Sequence, residues 1–171
     1  MKKYLITEKP SYFQLRKYMP DFALYRDKES KEYALHAEEF IQMCKQIKTL
    51  KPFLHRDYLL AHSLNAVGVH LTSTQFDAIK KAKELGLEVI ISTHTHEEVL
   101  KAHDLGADYV TYSPIFHSPH KGEPKGLEDL KKLVQKTDIK IFALGGIIDK
   151  EQVKLIEATN AYGFASIRYF L

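Results

Sequence analysis

One cysteine, no tryptophan and only six prolines occur in the 171 residues. A lone thiol, Cys44, excludes an internal disulfide framework. Set mid-helix in FIQMCKQI it reads as core, a composition that fits a reducing cytoplasm, and the cytoplasm is the expected location. The missing tryptophan excludes nothing. No apolar run approaches the roughly 20 residues that cross a bilayer. The start, MKKYLITEKP, meets charge and proline after a few apolar residues, unlike a signal peptide. The formal charge is only +3 and the lysines are spread along the chain, so no basic patch speaks for nucleic acid. Neither nucleic acid nor membrane is an expected partner.

What is present is a strand and a helix in alternation. KYLIT (Lys3–Thr7), FALYRDK (Phe22–Lys28), PFLH (Pro52–His55), AVGVHLT (Ala66–Thr72) and EVIISTH (Glu88–His94) read as the first five strands. Tyr109–Phe116, Ile139–Ile147 and Tyr162–Phe170 read as the last three. Between them lie helical segments: Ser11–Met19, Lys31–Thr49, DYLLAHSL, a Ser73-capped helix to Leu85, HEEVLKAHDL after Thr95, LEDLKKLVQ after Gly126 and KEQVKLIEA after Asp149. Continuously apolar strands joined by helices imply a parallel sheet buried on both faces. Eight such units predict an α/β fold, a (β/α)8 TIM barrel in one domain over residues 1–171, short and lacking the final helix. With no helix to cover the last strand, Tyr162, Phe164, Tyr169, Phe170 and Leu171 would leave apolar surface in water. A second copy of the chain, in a homodimer, is the expected cover.

Barrel chemistry sits where strands run into the loops that follow them. Those points collect Thr7, Arg26, Lys28, His55, Arg56, His70–Ser73, Ser92–His94 and Ser113. They continue with Ser118, His120 and Lys121 in a long Pro/Gly/Lys-rich loop, then Gly145, Gly146 and Ser166–Arg168. The rim is basic and hydroxylated, a setting for a phosphate or diphosphate. The competing reading of each cation is an ordinary surface ion pair. Four histidines, His55, His70, His94 and His120, could meet across the mouth as a zinc site. No two share a strand end, however, and a hydrogen-bonded buried histidine is the commoner case. Asp27 and Asp57 are the only strand-end carboxylates, and no Ser-His-Asp grouping is legible.

RDK (Arg26–Lys28), AVGVHL (Ala66–Leu71), STHTHEEVLKAHDLGADYVTYSPIF (Ser92–Phe116), Lys125-Gly126 and ALGGI (Ala143–Ile147) together resemble the thiamine phosphate synthase family, including its TenI-like thiazole tautomerase branch. The resemblance implies the same barrel. It also implies a role in thiamine biosynthesis, in which a pyrimidine methyl diphosphate is joined to a thiazole phosphate with magnesium and pyrophosphate is released. On that resemblance, Arg26 and Lys28 would meet the diphosphate, with Ser92 and His94 at a shared strand end. Ser118 and Lys121 would supply a hydroxyl and a lysine, with His120 in place of a second threonine. Gly145 and Gly146 would hold the thiazole phosphate by backbone N–H, and Ile167 and Arg168 stand at the last strand's contact. The catalytic candidates are Lys121, His120 and Arg26.

The chain also departs from that pattern. His55-Arg56 stands where the family has Asn-Asp, and Thr72–Gln75 where it has Gly-Gln-x-Asp, so both magnesium carboxylates are missing. No residue of the chain is therefore a candidate metal ligand. Pro114 occupies the tautomerase's catalytic histidine position. Two readings follow from the resemblance: a coupling transferase, with Arg26, Lys28 and Arg56 holding the second anion in place of metal, or a non-catalytic or regulatory TenI-like barrel (or tautomerase) that binds a thiamine precursor. A phosphosugar isomerase on the same barrel would need a strand-end acid/base pair, and the sequence offers none.

Overall fold

Strand β1 (Lys2–Thr7) pairs in parallel with β2 (Phe22–Tyr25) on one side and with β8 (Gly163–Ser166) on the other, and this double pairing closes the sheet. The computed structural model describes residues 1–171. Between those ends run β3 (Lys51–His55), β4 (Gly68–Leu71), β5 (Glu88–Thr93), β6 (Tyr109–Tyr112) and β7 (Lys140–Leu144), each beside its neighbour in sequence. The outer ring is α1 (Tyr12–Tyr18), α2 (Tyr33–Lys45), α3 (Tyr58–Ser63), α4 (Ala78–Glu84), α5 (His96–Asp104), α6 (Gly126–Lys136) and α7 (Lys150–Glu157). The eight-stranded parallel barrel expected from the alternation is the observed fold.

Side chains alternate across a strand, so each strand feeds two cores. The outward set, with Leu5, Ala23, Leu54, Val69, Val89, Val110 and Phe164 among its members, packs under the helices as one large cluster. The inward set is Tyr4, Ile6, Phe22, Leu24, Phe53, Ile90, Tyr109, Phe142 and Ala165, a plug rich in aromatic rings. Phe142 touches three of these rings, Tyr4, Phe22 and Tyr109, and the half-buried Tyr162 beside them, at centroid distances of 5.0–5.9 Å. At the amino-terminal end of the strands Lys51 bonds Glu88 at 2.7 Å, and Tyr109 donates to the same carboxylate. That end is sealed by an ion pair, leaving the opposite end as the open mouth.

Several boundaries differ from the sequence reading. β2 stops at Tyr25 and β6 at Tyr112, so Arg26–Lys28 and Ser113–Phe116 are loop. Helix α4 starts at Ala78, not Ser73, because Thr72 and Gln75 close a turn of their own: the Thr72 N–H donates to Gln75 Oε1 at 3.0 Å and the Gln75 N–H to the Thr72 carbonyl.

The last segment departs furthest. β8 ends at Ser166, whose hydroxyl donates to the Ile147 carbonyl at 2.8 Å and accepts from the Tyr169 N–H at 3.1 Å. The chain then folds into a short 3-10 turn, Arg168–Phe170. Gln14 and Tyr18 of α1 donate to the Phe170 and Leu171 carbonyls, and Phe164 and Phe170 are buried within the chain. The apolar surface expected at this end is therefore largely covered without a second copy; only Leu171 is fully open, at 78% exposure.

Truncating Phe142 to Ala removes the ring on which the inner plug converges and should cost about 3–5 kcal/mol. Denaturant titration of the variant against the parent reads this directly. A loss under about 1 kcal/mol would mean that the plug collapses freely around the gap.

Candidate active site

A cavity of about 420 Å³ opens at the carboxyl ends of the strands. Its floor is Ile6, Leu24 and Leu144, and its walls are polar. Of the residues singled out from sequence, Arg26, Lys28, His55, Ser92, His94, Ser118, Lys121, Gly145, Gly146, Ile167 and Arg168 all line this one space. Arg56 and His120 do not line it. Both are exposed residues at positive φ, 69° and 60°, on the β3 and β6 loops. The four histidines do not form a metal centre: no group of three His, Cys, Asp or Glu side chains in the chain could hold an ion.

The long loop after β6 is held from below. Ile115 and Phe116 donate their N–H groups to the carbonyls of Leu144 and Gly145, at 2.9 and 3.0 Å. The contact is too close for side chains at the glycine pair. A Cβ at Gly145 would lie 2.7 Å from Pro114 Cα, and one at Gly146 would lie 2.4 Å from the His117 carbonyl oxygen. Both glycines also sit at positive φ, 102° and 73°. The carbonyls of Gly145, Gly146 and Ile147 are all taken, by Phe116 N–H, Gln152 Nε2 and Ser166 Oγ. The N–H groups of the same three residues, and those of Ile167 and Arg168, donate to nothing within the chain. Five backbone donors on one wall of a cavity form an anion-binding surface.

The side chains add positive charge. Arg26, Lys28, Arg56, Lys121 and Arg168 make no ion pair; the six salt bridges of the chain all lie elsewhere. The surface-ion-pair reading of these cations is thereby removed. The proximity of Arg26, helped by partial burial and by Lys121 and Arg56, lowers the Lys28 pKa. Burial, and then Arg26, Arg56 and Lys28, hold His55 down at about 4, so its ring is neutral at pH 7.

Two histidines are fixed by their partners. His70 is fully buried, and its Nδ1 lies 2.7 Å from the Tyr4 hydroxyl, which has no other partner. A buried phenol satisfies its proton by donating, so Nδ1 accepts and Nε2–H donates to Ser92 Oγ at 3.0 Å. Burial keeps this ring neutral, its pKa down at about 3. At His94 it is Nδ1–H that donates, to the Ser113 carbonyl 3.1 Å away, which can only accept. Tyr4, two residues before Ile6 on an inward strand position, is a functional contact that the sequence reading missed. His70 takes the hydrogen-bonded, buried form rather than that of a zinc ligand, and Thr72, Ser73, Ser113 and Ser166 join it on the rim of the same cavity.

Magnesium fits this donor set poorly. A hard divalent ion takes oxygen ligands, usually carboxylates, and no Asp or Glu lines the cavity. Asp27 accepts the N–H groups of Glu29 and Ser30, and Asp57 caps α3 through the Leu60 N–H.

Residues 3–170 match the family described as thiamine monophosphate synthase. The thiamine-phosphate synthase of Syntrophomonas wolfei is 35% identical over 142 residues, covering 77% of this chain and 68% of that one. That of Clostridium tetani is 31% identical over 151 residues, covering 82% and 72%. Among solved structures, a thiamine phosphate pyrophosphorylase from Pyrococcus furiosus superposes with a TM-score of 0.83 at 28% identity, over 97% of this chain and 85% of that one.

Two outcomes follow from this geometry. Gly146→Ala forces a Cβ into the β6 loop at positive φ and should cost on the order of 2–4 kcal/mol in denaturant titration; a neutral result would show that the loop gives way. His55 and His70 have folded pKa values below the ordinary 6.5. Their neutral rings therefore stabilise the fold fully above pH 6.5, and that stability is lost as pH falls toward 4 and then 3. The melting temperature should drop over this window, and less steeply in His70→Gln; equal slopes would assign the acid lability to other groups.

Proposed function

The chain belongs to the thiamine monophosphate synthase family and is a thiamine-phosphate synthase-like transferase of thiamine biosynthesis; from that premise we propose that its barrel mouth holds a thiazole phosphate beside a pyrimidine methyl diphosphate and couples them. The observation that carries the reading is the pairing of unfilled backbone donors at Gly145–Ile147 and Ile167–Arg168 with Ser118 and Lys121 on the same cavity. A phosphate monoester is bound by such a set: N–H groups from the wall, a hydroxyl and an ammonium from the loop.

The coupling breaks the bond between the pyrimidine methylene carbon and the diphosphate oxygen, and the electron pair leaves with the diphosphate. The thiazole nitrogen then gives its lone pair to the methylene carbon, and thiamine phosphate and pyrophosphate result. No proton has to move, which accords with a mouth that has no carboxylate base and with His55 held neutral. What the site must supply is positive charge where the leaving oxygens gather and a dry wall around the carbocation. Arg26 and Lys28 stand for the first, and Ile6, Leu24 and Leu144 for the second. The His94 imidazole and the Ser92 hydroxyl, oriented by Nε2–H of His70, are polar contacts for the heterocycles. The homodimer belongs to the same reading, since Phe13 and Leu171 stay 75% and 78% exposed; sedimentation at two protein concentrations tests it.

Turnover of the two precursors by the full chain, followed by chromatographic detection of thiamine phosphate, tests the proposal. Lys121→Ala should lower kcat/KM by about 100-fold and Ser118→Ala by about 10-fold. Thiazole phosphate binding without coupling would favour the alternative, a non-catalytic or tautomerase-type binder suggested by the missing carboxylates. No binding of thiazole phosphate would overturn both.

A further inference from the structure

Three of the free cations, Arg26, Lys28 and Lys121, line one cavity, and a fourth, Arg56, stands close enough to act on Lys28. Arg26 and Lys28 come from the loop after β2, Arg56 from the loop after β3 and Lys121 from the loop after β6. The charges of Arg26, Lys121 and Arg56 all bear on the Lys28 ammonium. None of the four has a carboxylate within ion-pairing distance or a side-chain hydrogen bond to the chain. Asp27, the one acid inside the cluster's sequence, spends Oδ1 on two backbone N–H groups. Three positive charges on the cavity wall with Arg56 beside them, offset at Lys28 only by Glu29, are held there at an electrostatic cost, which a polyanion of three or four charges would relieve.

We propose that this cluster takes a diphosphate group directly, without a divalent cation. This rests on the reading of the mouth as a two-substrate site, and it concerns which species the second half of that site accepts. A metal-bound diphosphate carries two fewer negative charges and brings a dication into a field that already repels cations. With no carboxylate to ligate it, the metal adds repulsion and no new bond. The guanidiniums of Arg26 and Arg56 can each span two phosphoryl oxygens, which is the task the metal would otherwise perform. The bare polyanion is therefore the ligand, and the metal complex the weaker competitor. The leaving diphosphate gains its charge stabilisation from Arg26, Lys28, Arg56 and Lys121 in the same way.

Calorimetric titration of the full chain with inorganic pyrophosphate, once in EDTA and once in excess magnesium, tests this. The expected result is binding in EDTA that weakens tenfold or more when magnesium is saturating. Arg26→Gln and Arg56→Gln should each weaken the EDTA binding by tenfold or more. Thiazole phosphate, titrated separately, should bind both variants as it binds the parent, which also shows that they are folded. Pyrophosphate binding that requires magnesium, or that is unchanged in both variants, overturns the inference while leaving the two-substrate reading intact. Failure of thiazole phosphate to bind the parent chain removes that reading instead.

Discussion

The contact between the β7 glycine pair and the backbone after β6 sets the geometry of the mouth. Gly145 and Gly146 lie so close beneath Pro114, Phe116 and His117 that there is no room for a side chain at either position. The two hydrogen bonds from Ile115 and Phe116 lock the layers together. A connection of more than ten residues would otherwise be free to wander; here its third and fourth residues are pinned to a strand end. The carbonyls of the glycine turn are spent on that attachment and on Gln152. Its N–H groups are left without partners in the chain, on residues that line the cavity. One packing arrangement thus both positions the loop that carries Ser118 and Lys121 and leaves the donors they work with.

Electrostatically the mouth is one-sided. A barrel rim usually mixes signs, but here the acids near the strand ends are turned to structural use: Asp27 and Asp57 hold backbone N–H groups, and Glu98 accepts from the His94 N–H. His55 and His70, which could have added charge, are kept neutral by burial and by nearby cations. Charge is therefore concentrated in the arginines and lysines that line the mouth. Such a site presents a positive field to its ligand.

Much of this was legible in the chain itself. Continuous apolar strands, helices at a 3.6-residue period and glycines after them specify a parallel barrel, and a barrel places strand ends at one mouth. That logic was enough to bring eleven separate positions, from Arg26 to Arg168, to one cavity. It did not reach Arg56 and His120, since exposure at a loop tip depends on the positive φ each adopts, and a local pattern carries no sign of that. Nor did it find the turn after Ser166. Tyr162–Phe170 is apolar enough for a strand, and what ends it is a bond to the Ile147 carbonyl, a partner 19 residues away. The Tyr4–His70 contact, 66 residues apart, is invisible for the same reason.

That contact ties the inside of the barrel to its mouth. Tyr4 packs edge-on or tilted among Phe22, Phe53 and Phe142, and its hydroxyl fixes the imidazole that in turn orients Ser92. The hydrocarbon interior and the substrate-facing rim cannot then diverge independently over evolutionary time. A lineage that exchanged one ring of the plug for another would shift a hydroxyl some distance away, and selection on ligand preference would act on residues that never meet the ligand.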